Sequence, residues 1–176
     1  MEMNFCRRCG SEFDSVDRHV FTCKNGHTLY LNAAPTAGII ILSPDNSTML
    51  MTIRGVEPFK GMLDSVGGFV DGGGETVEQA AMREMKEETG LDPHQYEPLV
   101  YITSGTTPYP YGGEVISMLT MMFYTRLIDD AKPVPQDDVA AFREVPLHQV
   151  NLDEIGGTDV RAGVLELQAL FPKEES

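Results

Sequence analysis

Basic residues are scarce in this sequence: 13 Lys and Arg stand against 27 Asp and Glu, a formal net charge of -14 over 176 residues. Such a chain repels a polyphosphate backbone unless its few cations are focused into one patch, and no patch is present, so nucleic acid is not expected as a partner. Long apolar runs are missing too. No stretch approaches the ~18 to 20 apolar residues of a bilayer span, and the opening "MEMNFCRRCG" lacks the apolar segment of a secretory signal. The expected setting is the cytoplasm, without membrane contact. Cysteines number only three, which disfavours a disulfide framework and leaves reduced thiols or metal ligands. Internal repeats and low-complexity tracts are absent, so the chain reads as one medium domain, or a small module and a domain. Its 41% apolar content is enough for a real core.

Residues 1–32 are dense in Cys, His and charge, the texture of a small stapled module. From Ala33 the texture changes. "TAGIIIL" (Thr36–Leu42) and "TMLMTIR" (Thr48–Arg54) read as strands joined into a hairpin across "SPDN". Further strands are expected at Leu63–Val70, Pro98–Thr103, Val115–Leu127 and Val139–Val145. Helices are expected at Thr76–Thr89 and Asp159–Phe171, the second with Thr158 as its N-cap. The Pro- and Gly-rich segments Thr103–Gly113 and Asp129–Asp138 read as loops. Strands outnumber helices, so the expected class is α/β of the α+β kind, a mixed sheet flanked by helices. Met49, Met51, Met118, Met121 and Met122 fall in strand segments and read as core filler.

The stretch "GGFVDGGGETVEQAAMREMKEETGL" (Gly67–Leu91) carries the chemistry. On a helix of 100° per residue, Val77, Ala80 and Ala81 form a small apolar stripe that can dock on a sheet. Glu84, Glu87 and Glu88, related by i, i+3 and i+4 steps, share a sector of roughly 100°. Such carboxylates repel one another, more so when docking partly buries them. They read either as a solvated helix face or as a site for Mg²⁺ or Mn²⁺, hard ions that keep positions open for water and phosphate. The glycine-rich turn favours the ion site, because backbone N–H groups before a helix N-terminus are placed to meet an anion.

The run from Glu75 to Leu91, E-x7-R-E-apolar-x-E-E-x-G-apolar, resembles the signature of the Nudix hydrolases at every fixed position, with Met85 and Leu91 as the apolar members. The order of elements extends the resemblance from Ala33 to Phe171. It implies the Nudix fold, a mixed sheet sandwiched between helices, as a domain over residues 33–176. It also implies hydrolysis of a nucleoside diphosphate linked to another moiety, by attack of a metal-activated water. On this resemblance Glu84, Glu87 and Glu88 are the Mg²⁺ or Mn²⁺ ligands, with Glu84 also in reach of the attacking water. Arg83 steadies the acidic cluster, Glu75 orients Arg83, and Gly67 and Gly68 meet the substrate. Family members draw the general base from different loops; Glu114, Asp137 and Asp138 are the candidates here. One departure is visible: "FVDGGG" is one residue longer than the family pattern. The extra residue is expected among Gly72, Gly73 and Gly74, since glycine adopts positive φ at little steric cost.

Cys6-x2-Cys9 and Cys23-x3-His27, with thirteen residues between them, have the spacing of a closed structural Zn²⁺ site, and a metal explains how so short a module folds with little core. His27 is favoured over His19 because Asn25 and Gly26 supply the turn that returns it towards Cys23. A zinc ribbon leading into a Nudix domain resembles the NADH pyrophosphatase branch of the family. That branch's Ser-Gln-Pro-Trp-Pro-Phe-Pro-x-Ser motif is only partly echoed in "SGTTPYPYGG", where Pro108, Tyr109, Pro110 and Tyr111 keep the Pro-aromatic alternation. Tyr109 and Tyr111 read equally as rings that stack on a base and as loop packing. NADH or a related dinucleotide is the expected substrate, with ADP-ribose or a nucleoside triphosphate next. A non-catalytic nucleotide sensor is the alternative of another class, and the intact acidic cluster counts against it. Similar ribbon-bearing enzymes are homodimers, which leaves a homodimer open.

Overall fold

In the computed structural model, which describes residues 4–128 and 131–173, the apolar run Ile39–Leu42 is unbroken because it is covered on both sides. It belongs to β4 (Ala34–Leu42), the central strand of a seven-stranded sheet. Ile40 and Leu42 face one apolar cluster, whereas Ile39 and Ile41 face another, as the two-residue period of a strand requires. The other strands are β5 (Thr48–Arg54), β6 (Leu63–Asp64), β7 (Val66–Phe69), β8 (Val100–Tyr111), β9 (Glu114–Arg126) and β10 (Val139–Pro146). Their order is β10-β5-β4-β9-β8, with β6 paired to β5 and β7 to β4. Only β4 and β9 pair in parallel, so the sheet is mixed.

Helix α1 (Val77–Thr89) lies over the face that holds Ile39 and Ile41, burying Ala80, Ala81 and Met85 there, with Val77 packed at the margin. Helix α2 (Thr158–Leu170) buries Val160, Val164 and Leu167 against the opposite face. The fold is thus the helix–mixed sheet–helix sandwich that the sequence implied. A separate antiparallel sheet of β1 (Phe13–Asp17), β2 (Val20–Cys23) and β3 (Thr28–Tyr30) precedes it. Among the described residues no helix is long and apolar enough to cross a membrane.

Three local expectations are corrected. Thr103–Gly113 is not a loop: β8 runs through it to Tyr111, paired with β9 from Thr103↔Met122 to Tyr111↔Glu114, and only Gly112 and Gly113 turn. Prolines fit because β8 is an edge strand, where a nitrogen facing outward forfeits no ladder bond. Leu63–Val70 is two short strands broken at Ser65, since β6 follows β5 while β7 follows β4. Thr158 does not cap α2; Gly157 holds that position, and the Thr158 hydroxyl donates to the Thr106 carbonyl at 2.5 Å. In the loop expected over Asp129–Asp138, Asp129 and Asp130 lie outside the described residues, and residues 131–138 are irregular.

Candidate active site

Helix α1 sets the site because its capping is strong and its register therefore fixed. The Thr76 hydroxyl accepts from the Gln79 amide, the Gln79 side chain accepts from the Thr76 amide, and Gly90 ends the helix at φ 74°. Arg83 then gathers carboxylates. Its Nε and Nη2 fork onto Glu75 at 2.9 and 3.2 Å, and Nη1 reaches Glu84 at 2.7 Å and Glu87 at 2.9 Å. Nη2 also donates to the Phe69 carbonyl at 2.8 Å, tying α1 to β7. Glu87 stays exposed, while Glu84 and Glu88 are buried.

Gly68 lets β7 approach α1 that closely, and Gly67 lets it approach β4. A Cβ on Gly68 would lie 2.3 Å from Glu84 Oε1, and one on Gly67, at φ 150°, would lie 2.0 Å from the Ala37 carbonyl oxygen. The Gly67 amide donates to Glu88 Oε2 at 3.0 Å. Burial pushes both buried carboxyls up: Glu84 against the opposing pull of Arg83, and Glu88 to about 10 with Asp138 adding to the effect. Buried acids held towards their protonated forms beside further acids are a donor set short of positive charge. The set fits a hard divalent ion such as Mg²⁺ or Mn²⁺.

Arg83, Glu84 and Glu88 line a cavity of about 270 Å³, together with Asp137 and Asp138, whereas Glu87 is not among its lining. Asp137 has φ 53°, a left-handed conformation that Asp tolerates better than most residues. Glu114 lies elsewhere, at the tip of the β8–β9 hairpin opposite Tyr111. The cavity also has aromatic lining, from Phe59, Phe69 and Tyr109. Tyr109 packs against Phe69 at 5.9 Å and Phe59 at 6.4 Å between ring centroids, and Tyr111, mostly exposed, stacks 6.5 Å from Tyr109. Gly72, Gly73 and Gly74 are exposed, and Gly73 and Gly74 adopt φ 95° and 105°, the conformations expected of an inserted loop residue.

Several residues at the cavity escaped sequence reasoning. Arg54, at the end of β5, pairs with Asp64 and Asp138 at 3.2 Å each. Burial raises Asp64 to about 6 even though Arg54 opposes the shift. Asp159, buried at the start of α2, accepts from Thr107 at 2.5 Å and from Thr120, whose hydroxyl also meets Thr36 at 2.6 Å. A charged end on an apolar strand was the one available signal for Arg54; nothing in the spacing pointed to Asp159.

In the N-terminal sheet, ligand atoms of Cys6, Cys9, Cys23 and His27 all lie within 4.8 Å of one another. Cys9 and Cys23 sulfurs are 3.8 Å apart, as are Cys6 Sγ and His27 Nδ1. A tetrahedron of about 2.3 Å Zn–S bonds has edges of about 3.8 Å, so the donor set fits Zn²⁺. Hydrogen bonds from Asn25 and Ser11 pull the Cys9 thiol down to about 5, which favours the ligating thiolate. His19 instead lies against Tyr30.

A family profile described as NUDIX domain matches residues 33–166. An ADP-ribose pyrophosphatase of Methanocaldococcus jannaschii is 42% identical over 96 residues, 54% of either chain. A NAD-capped RNA hydrolase, NudC, of Pseudomonas aeruginosa is 29% identical over 136 residues, 76% of this chain and 44% of that protein. The chain thus spans about half the length of the curated relatives it matches, or less. A NUDIX hydrolase structure from Nitrosomonas europaea superimposes with a TM-score of 0.68 at 21% identity, covering 96% of this chain and 89% of that one. The NUDIX domain of Shewanella oneidensis NrtR, complexed with ADP ribose, has a TM-score of 0.60 at 19% identity, covering 80% and 90% of the two chains. Both structural likenesses concern the fold alone.

Proposed function

The chain belongs to the Nudix family, and from that premise we propose that it hydrolyses the diphosphate linkage of a small nucleotide derivative, NADH or a related dinucleotide first among them. The observation that carries this reading is the cavity lined both by buried carboxyls and by the Phe69–Tyr109 aromatic pair. Glu84, Glu87 and Glu88 would hold Mg²⁺ or Mn²⁺, which when bound neutralises diphosphate charge and makes water a stronger nucleophile. Arg83, steered by Glu75, keeps Glu84 and Glu87 in place. The missing Cβ of Gly68 leaves room for Glu84 beside β7, and that of Gly67 lets β7 lie against Ala37 of β4. Asp137 or Asp138 takes the proton of the attacking water as its oxygen bonds to phosphorus. The bridging P–O bond then breaks, and the departing phosphate keeps its electron pair. Tyr109, with Tyr111 beyond it, offers ring faces to a base.

ADP-ribose is the second reading, favoured by the 42% identity to an ADP-ribose pyrophosphatase. The same proposal treats residues 1–32 as a zinc-ribbon module in which Cys6, Cys9, Cys23 and His27 hold Zn²⁺, in a reducing, cytoplasmic setting. It leaves a homodimer as the assembly to test. The experiment is a screen of NADH, NAD⁺, ADP-ribose, diadenosine polyphosphates and nucleoside triphosphates with Mg²⁺ and Mn²⁺. Glu88→Gln and Glu87→Gln should each lower kcat, by about 100-fold or more for Glu88. A Glu88→Gln enzyme as active as its parent would overturn the ligand assignment.

A further inference from the structure

Arg54 touches both acidic and aromatic residues of the cavity lining. Its side chain is 13% exposed, and its contacts run in four directions. Nε donates to the Pro58 carbonyl at 2.8 Å, immediately before Phe59. Nη1 donates to Asp64 at 3.2 Å. Nη2 donates to the Tyr109 hydroxyl at 3.3 Å and lies 3.2 Å from Asp138 Oδ2. The neighbouring backbone joins the same pieces, since the Gly55 amide donates to the Asp138 carbonyl at 2.6 Å and the Gly61 amide to the Arg54 carbonyl at 2.9 Å. One rigid guanidinium therefore spans the loop carrying Phe59, strand β6, the aromatic strand β8 and the segment before β10.

We propose that Arg54 is a positioning residue for specificity: it fixes the Tyr109 ring and the Asp138 carboxylate relative to each other, so that base contact and acidic floor act on one substrate. The inference rests on reading the cavity as a nucleotide site. It separates Arg54 from a phosphate-binding cation, because three of its five N–H groups already donate to protein acceptors and Asp138 lies 3.2 Å from Nη2. A lysine keeps the charge but has a single nitrogen, and cannot hold a fork of acceptors in register.

The test compares the parent with Arg54→Lys, Tyr109→Phe and the double variant, using ADP-ribose and NADH with Mg²⁺. Tyr109→Phe is expected to raise KM by about tenfold with kcat nearly kept, because it removes only the hydroxyl that orients the ring. Arg54→Lys is expected to raise KM by at least as much and also to lower kcat, since Asp138 loses its partner. In the Arg54→Lys background, Tyr109→Phe should add less than twofold to KM, the signature of one shared interaction. Independent costs in the two backgrounds, or parent-like constants in Arg54→Lys, would overturn the proposal. A second arm needs no turnover: in protein with labelled tyrosines, the Tyr109 ring resonances should shift in Arg54→Lys while those of Tyr96 and Tyr124 stay in place. Unmoved Tyr109 signals overturn the role of Arg54. A parent that turns over neither nucleotide overturns the nucleotide reading alone, and the resonance arm then decides.

Discussion

Asp64 is a carboxylate for which burial outweighs an arginine, and its folded pKa stands at about 6 against an ordinary 3.8. Because the folded value is the higher one, the folded chain holds this proton more tightly. The stability it contributes is full below about pH 4 and is lost as pH rises through about 6. The expected measurement is a urea midpoint that falls between pH 4 and pH 7 more steeply in the parent than in Asp64→Asn. Superimposable profiles would remove Asp64 as the cause. At this scale the sequence was legible where helix periodicity alone brings groups together: Arg83 meets Glu84 and Glu87 within one turn. It was silent on Arg54 and on the contacts that join Arg54 to Tyr109 and Asp138, because those residues meet only through strand pairings that no local pattern encodes.

At the scale of elements, α1 could be read almost to the residue, since its apolar stripe, its capping box and Gly90 all agree. That agreement also makes it testable. Thr76→Ala removes a hydroxyl acceptor from the first turn and should cost about 1 kcal/mol in chemical denaturation. Its kcat should be retained, because Thr76 lies one turn or more from the carboxylates of Glu84 and Glu88. A loss of 0.2 kcal/mol or less, on the order of experimental error, would mean that the cap is dispensable. Strand β8 was misread for the opposite reason. Its prolines and glycine are local breakers, yet eleven consecutive register partners on β9, from Val100↔Tyr124 to Tyr111↔Glu114, impose extension on them. Tertiary pairing won over local propensity there.

For the whole molecule, the question is what each sheet owes its stability to. The larger sheet buries two apolar clusters, whereas the N-terminal sheet buries only Phe21 among its large side chains, beside Cys6 and Cys23. On the zinc-ribbon proposal it depends on a crosslink. About one zinc per chain is expected by elemental analysis. A strong chelator should make the three thiols reactive and open residues 4–31 to protease, while the main melting transition stays in place. Thiols that react equally fast with and without chelator would refute the dependence. The order of the larger sheet carries a further consequence for assembly. The outward carbonyl of Thr106 on β8 is already occupied by Thr158, and Pro108 and Pro110, on the same edge by their two-residue spacing, have no hydrogen to offer. That part of the margin is a poor template for a second copy. A twofold partner is therefore expected at another margin or face, and growth of a continuous ribbon of molecules through the β8 edge is disfavoured.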